Sequence, residues 1–155
     1  MPGLSCRLHE TVVFGIMGAG GVVYMDLQEL NRNIRLHERL DRAYEMIESL
    51  REKADLQAPN MDGMPHGTDV SDKVGNIAAA IADLTTRIEE LEDQIEANDE
   101  AIRNFANTFD DERVQMAIQM RFINGFTWST VSDVLGGISE DTLRRLTVKA
   151  VDARV

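Results

Sequence analysis

The chain has 155 residues, of which 5% are aromatic, 28% are charged and only three are proline. This balance is typical of a helical protein and argues against a β-sandwich. The single cysteine, Cys6, excludes a disulfide framework within the chain, and no spacing of histidine and cysteine resembles a metal site. We therefore expect a fold that needs neither disulfides nor a structural metal.

The net charge of −11 is concentrated in one part of the chain. Residues 61–110 contain 12 acidic and 3 basic side chains, whereas residues 111–155 contain 6 of each. A negative field of this size repels phosphates at long range, so general electrostatic steering toward nucleic acid is excluded. Any contact with DNA needs a local site or a partner that brings the protein there.

Residues 1–24 are expected to form a poorly ordered tail, because the charged helical pattern begins only at Met25. The apolar stretch 11–25 has 15 residues, fewer than the roughly 20 that a membrane-spanning helix needs. It lacks a basic start, so a secretory signal is not expected. Its glycines resemble a dinucleotide loop only superficially, since no βαβ unit surrounds them. We expect a cytoplasmic protein without a membrane segment.

Two amphipathic helices are predicted between residues 25 and 109, separated by a Pro- and Gly-containing linker at 57–70. The second helix, at about 71–109, has apolar residues alternately three and four apart, which is the pattern of a coiled-coil seam. Asn98 interrupts this seam, either as a determinant of register and strand number or as a tolerated defect. The two helices can fold back as a long antiparallel hairpin, or pair with a second chain as a homodimer.

The sequence shows no active site, so we expect no enzymatic activity and no cofactor. The histidines are scattered, and no serine lies in a nucleophile-type turn. The acidic residues between Glu89 and Glu100 could bind magnesium or act in acid–base chemistry, but they lie off the seam. They are better explained as the solvated face of a coiled coil.

The C-terminal region, 110–155, has the pattern of a helix-turn-helix domain. A helix at about 111–123 ends at Asn124-Gly125, Thr127 caps a helix over 128–135, and Ser139 caps a last helix from Glu140 to about Val151. On this last helix Leu143, Leu146 and Ala150 are predicted to face inward. The polar residues predicted to face outward, where they could contact phosphates and base edges, are Thr142, Arg144, Arg145, Thr147 and Lys149.

The segment RVQMAIQMRFINGFTW (113–128), followed by the capped helix with Arg144 and Arg145, resembles region 4 of sigma-70-type factors. The order of coiled coil and then this module is similar to short sigma-like regulators of bacteriophages and prophages. The resemblance implies that Thr142, Arg144, Arg145 and Lys149 face DNA, and that Arg121 and Trp128 belong to the scaffold. The turn at Gly136-Gly137 is one glycine longer than in the family.

We therefore expect an all-α fold, with a coiled-coil hairpin over 25–109 and a helix-turn-helix domain over 110–155. The expected function is transcription regulation through promoter DNA, with the coiled coil used for assembly or for contact with RNA polymerase. Two alternatives stay open. One is a small terminase-type packaging protein, which would form a ring. The other is a protein adaptor that does not bind DNA and whose acidic segment contacts a basic partner.

Overall fold

A computed structural model describes residues 24–57 and 69–155 of the chain. Its helices are α1 (Leu27–Leu56), α2 (Asp69–Ala106), α3 (Glu112–Ile118), α4 (Trp128–Leu135) and α5 (Glu140–Asp152), and a single π-helical turn, Gln119–Ile123, follows α3. No strand occurs within the described ranges, and the predicted all-α class is confirmed. The predicted tail, with its glycine-rich stretch, and most of the predicted linker lie outside the described residues.

The described residues pack as two compact units whose boundaries fall inside the long helices. One, the long-helix unit, comprises residues 32–97. The other, the C-terminal unit, comprises the described residues up to Asn31 together with residues 98–155. The last turns of α2 thus pack in the same unit as α3, α4 and α5, whereas the sequence pattern predicts a domain boundary between residues 109 and 110.

In the long-helix unit, α1 and α2 pack through the predicted apolar seam. Leu36 of α1 packs with Leu91 and Ile95 of α2, and Ala43 and Ile47 pack with Ile88. Residues later in α1 pack against residues earlier in α2, so the two segments run antiparallel within this unit. Burying these leucine and isoleucine side chains stabilises the pair by about 1.5–3 kcal/mol for each fully buried side chain.

The start of α1 is defined by a reciprocal capping box. The Asp26 carboxylate accepts a hydrogen bond from the Glu29 backbone N–H at 2.8 Å, and the Glu29 carboxylate accepts one from the Asp26 N–H at 3.0 Å. These bonds satisfy backbone donors that a helix start otherwise leaves free. Met25 and Leu30, on either side of this box, are both buried. The change in sequence character at Met25 therefore marks a capped helix start.

Asn98 lies at the predicted interruption of the α2 seam and is only 1% exposed. Its Oδ1 atom is buried, and no hydrogen bond to it is formed within the part of the chain that the structure describes. An acceptor without a partner in an apolar environment costs free energy relative to an apolar side chain. The seam residues that follow it, Ile102 and Phe105, are fully buried, so the buried stripe of α2 continues past this position.

We predict that Asn98→Leu raises the free energy of unfolding by about 1–2 kcal/mol, because it removes a buried amide oxygen without a hydrogen-bond partner. Urea denaturation followed by circular dichroism measures the change. Asn104→Leu is the matched control, since Asn104 is exposed on the same helix and its replacement should leave stability nearly unchanged. A loss of stability in Asn98→Leu would show that the amide contributes favourably to the fold.

Candidate nucleic-acid interface

The helix that supports the candidate interface, α3, begins at a charged cap. Asp111 accepts a hydrogen bond from the Arg113 backbone N–H at 2.9 Å, and its two carboxylate oxygens accept from the Arg113 guanidinium at 3.2 and 3.1 Å. The guanidinium, helped by backbone N–H groups, lowers the pKa of the Asp111 carboxyl below its ordinary value. Because the folded-state pKa is lowered, the cap stabilises the fold at neutral pH, and that contribution is lost as the pH falls through the lowered pKa.

After α3 the backbone continues as the π-helical turn Gln119–Ile123, which leads into the loop before α4. The Asn124 N–H donates to the Gln119 carbonyl five residues back at 3.2 Å, and the Phe126 N–H donates to the Met120 carbonyl at 3.1 Å. Gly125, with φ of 71°, reverses the chain in a conformation that side-chain-bearing residues rarely adopt. The helical spacing of residues 111–123 predicted a helix here, but not its change of hydrogen-bond pattern.

Arg121 and Trp128 hold the loop between α3 and α4 in place. The Arg121 guanidinium donates a hydrogen bond to the Phe126 carbonyl at 2.9 Å and lies 5.9 Å from the centre of the Trp128 ring. Trp128 meets Phe122 edge to face, with ring centres 6.2 Å apart. Both Arg121 and Trp128 make internal contacts, as expected of scaffold residues.

A single apolar core joins α3, α4 and α5. Ala117 of α3, Val131 of α4 and Leu143 of α5 are each fully buried and form its centre. Four partly buried side chains pack around them, namely Met120, Trp128, Leu135 and Ile138. Helices of 8 and 13 residues are too short to be stable alone in water. The orientation of α5 is therefore set by this core.

The turn between α4 and α5 uses both glycines of the Gly136-Gly137 pair in left-handed geometry, with φ values of 65° and 71°. The Ser132 hydroxyl donates a hydrogen bond of 2.6 Å to the Ile138 carbonyl, which ties this turn back to α4. This hydrogen bond links the end of the turn to the middle of α4.

Both caps predicted for the C-terminal helices are present. The Thr127 hydroxyl accepts a hydrogen bond from the Thr130 N–H at 3.2 Å, and the Ser139 hydroxyl accepts one from the Thr142 N–H at 3.3 Å. Each cap satisfies a free donor of the first helical turn. The sequence therefore predicted the starts of α4 and α5 correctly, because capping is a local interaction.

Four of the five predicted contact residues lie on the outer side of α5. Arg144, Arg145 and Lys149 are exposed, and so is Thr142, whose hydroxyl also accepts a hydrogen bond from Ser139 at 2.8 Å. At 100° per residue, these positions and those of Asp141, Val148 and Asp152 fall on one side of the helix. They form what we call the outer face of α5, on which Thr142 is exposed beside a shallow groove lined by Asp141, Arg144, Arg145, Val148, Lys149 and Asp152.

The prediction that Thr147 faces outward is wrong. Thr147 is fully buried, and its hydroxyl donates a hydrogen bond of 2.9 Å to the Leu143 carbonyl of its own helix. It lies one turn after Leu143 and one turn before Val151, both of which are also fully buried. Residues four apart share a face of a helix, so the spacing from Leu143 and Val151 indicates that Thr147 is buried. The polar residue type misled the prediction, because the hydroxyl can bond within its own helix.

The charges of the outer face are partly neutralised within α5. Arg145 forms an ion pair with Asp141 at 2.9 Å, with side chains 80% and 68% exposed. Such an exposed pair contributes little to stability, so Arg145 can exchange its partner at small cost. Among the described residues, neither Arg144 nor Lys149 forms an ion pair. The face thus presents two unpaired cations and one that is loosely paired.

Arg154 anchors the region after α5, a role that the sequence pattern does not predict. Its guanidinium donates a hydrogen bond of 2.5 Å to the Thr108 carbonyl and lies 4.7 Å from the centre of the Phe109 ring. These contacts join residues 46 positions apart, so no local pattern in the sequence could indicate them. They tie the region just after α5 to the loop that follows α2.

No protein-family model, no curated protein and no solved structure matches this chain. None of the helices in the described ranges has a stretch long and apolar enough to cross a bilayer. Among residues 24–57 and 69–155, no group of histidine, cysteine, aspartate and glutamate side chains is arranged to hold a metal ion. A function for the outer face of α5 therefore has to be argued from its own geometry and charge.

The burial of Thr147 and the exposure of Thr142 predict opposite responses to the same substitution. Thr147→Lys should lower the free energy of unfolding by more than about 3 kcal/mol, because it places an unpaired charge in the core. Thr142→Lys should cost less than about 1 kcal/mol, since that position is solvated. Urea denaturation of the two variants measures the difference. Equal stability of the two variants would contradict the placement of Thr147 in the core.

Proposed function

We propose that this protein is a non-enzymatic, DNA-binding transcription regulator of the sigma-like phage type, acting in the cytoplasm of a bacterial host. In this proposal α4, the glycine turn and α5 form a helix-turn-helix, and α5 enters the major groove of promoter DNA. Thr142, Arg144, Arg145 and Lys149 are the contact residues. RNA polymerase is the partner that brings the module to its promoter.

The observation that carries the proposal is the division of α5 into two sides. One side, with Leu143, Thr147 and Val151, is buried, so the helix cannot rotate. Arg145 and Lys149 lie on the opposite side, Arg144 flanks the buried side, and all three are exposed to solvent. Arginine matches the O6 and N7 acceptors of guanine, and lysine matches phosphate oxygens. A rigidly held helix with exposed cations is the arrangement by which a helix-turn-helix reads a groove.

The charge of the chain favours a regulator that depends on a partner. Three cations on the outer face of α5 neutralise few phosphates, and Asp141 and Asp152 lie beside them. With a net charge of −11 for the whole chain, affinity for DNA alone is expected to be modest, and its salt dependence shallow because few phosphates are contacted. Contact with RNA polymerase would raise the effective concentration of the module at a promoter.

Removing both arginines tests the proposal. We expect Arg144→Ala/Arg145→Ala to weaken binding at least about tenfold and to reduce the slope of log K against log salt by up to about 2, if both residues contact phosphates or base edges. The probe is a duplex enriched by the parent protein from a random pool, and fluorescence anisotropy across a salt series measures binding.

Arg51→Ala/Lys53→Ala is the matched control, because it removes the same charge from exposed positions near the end of α1. It should bind the duplex as the parent does. If the arginine variant of α5 keeps the affinity of the parent over the salt series, or if no duplex is enriched, α5 is not a DNA-reading helix. Circular dichroism confirms that both variants stay folded.

A second substitution should strengthen binding. Asp141→Asn removes the carboxylate that pairs with Arg145 and also removes a charge that repels phosphate. We expect the affinity for the enriched duplex to rise by about two- to fivefold at low salt. Asp55→Asn makes the same charge change at an exposed position of α1 and should have no comparable effect. Unchanged or weaker binding by Asp141→Asn would place the DNA away from the first turns of α5.

A further inference from the structure

The long-helix unit has a groove along one side that collects positive charge in an otherwise acidic part of the chain. It is lined by Arg39, Arg42, Met46, Leu84, Arg87 and Leu91. Arg39 and Arg42 come from α1 and Arg87 from α2, so three guanidinium groups surround an apolar floor. Charges of the same sign on facing helices repel each other, so this arrangement does not stabilise the pairing of α1 with α2.

The arginines of the groove are poorly neutralised from within the chain. Arg42 is 3.7 Å from Glu38 in an exposed pair, which contributes little. Within the described ranges, Arg39 and Arg87 form no ion pair. Met46, beside them, is 55% exposed, and Leu84 is only half-buried. The groove thus presents both cationic and apolar groups to a partner.

Carboxylates lie directly beside the groove. An adjoining depression shares Arg39 and Arg87 with the groove. It is also lined by Asp83 and Glu90 of α2. Glu90 is three residues, nearly one helical turn, from Arg87, and both are exposed. This side therefore contains both signs of charge, whereas residues 61–110 as a whole contain 12 acidic and 3 basic side chains. It is a surface on which the repulsion between two acidic chains is locally reduced.

We propose that this groove binds a second copy of the chain, and that Arg87 of each copy pairs with Glu90 of the other. Two α2 helices that cross antiparallel about a two-fold axis between positions 88 and 89 bring these two residues together twice. A two-fold interface uses the same surface on both subunits, so it must be complementary to itself, as this one is in charge. The second copy also covers Met46 and Leu84, whose burial adds an apolar contribution.

Charge reversal on α2 tests the pairing. Sedimentation velocity of the full chain, at loading concentrations up to about 1 mM, should show the parent at twice the 17.3 kDa mass of the chain. Arg87→Glu or Glu90→Arg alone should weaken dimerisation at least about tenfold, because each places like charges opposite each other twice. The double variant Arg87→Glu/Glu90→Arg should restore the dimer, since it exchanges the charges without changing their sum.

Arg51→Glu is the matched control, because it makes the same charge change at an exposed position of α1 that does not line the groove. It should dimerise as the parent does. A parent that stays monomeric at every concentration would overturn the proposal, and so would an Arg87→Glu variant with the dimerisation of the parent. A double variant as monomeric as the single ones, yet folded by circular dichroism, would also overturn it. These outcomes do not depend on DNA binding.

Discussion

The packing of Leu143 against Ala117 and Val131 is the interaction on which the candidate interface depends. The helices α4 and α5 are too short to persist alone, so their orientation comes from burying apolar faces against α3. Leu143, Thr147 and Val151 take up one side of α5 and leave the cations on the other. The polar contacts of the turn refine this arrangement, since Ser132 fixes the carbonyl of Ile138.

The two surfaces that we propose to be functional both gather cations beside a few carboxylates. The outer face of α5 holds three cations beside two carboxylates, which suits a reader of DNA that needs help from a partner. The groove of the long-helix unit holds three arginines beside Asp83 and Glu90, which suits association of like chains. In a protein of net charge −11, acidic side chains are common on the surface, so two clusters of cations indicate binding sites better than the acids around them do.

Interactions between neighbours in sequence were predictable, and those between distant residues were not. The caps at Thr127 and Ser139 and the bounds of α4 follow from residue types within one turn of helix. The burial of Asn98 follows from its place on the apolar seam. The contact of Arg154 with Thr108 spans 46 positions, so nothing in the local pattern indicated it.

By itself, the sequence determined the all-helical class, the caps and glycine breaks of the C-terminal helices, and which residue types lie on α5. These depend on helical spacing and on backbone donors close to the side chains that satisfy them. The tertiary structure decided that Thr147 is buried, that the long helices divide between two packing units, and that Arg39, Arg42 and Arg87 share a groove. Each of these depends on which helix lies against which, and packing between distant segments sets that choice.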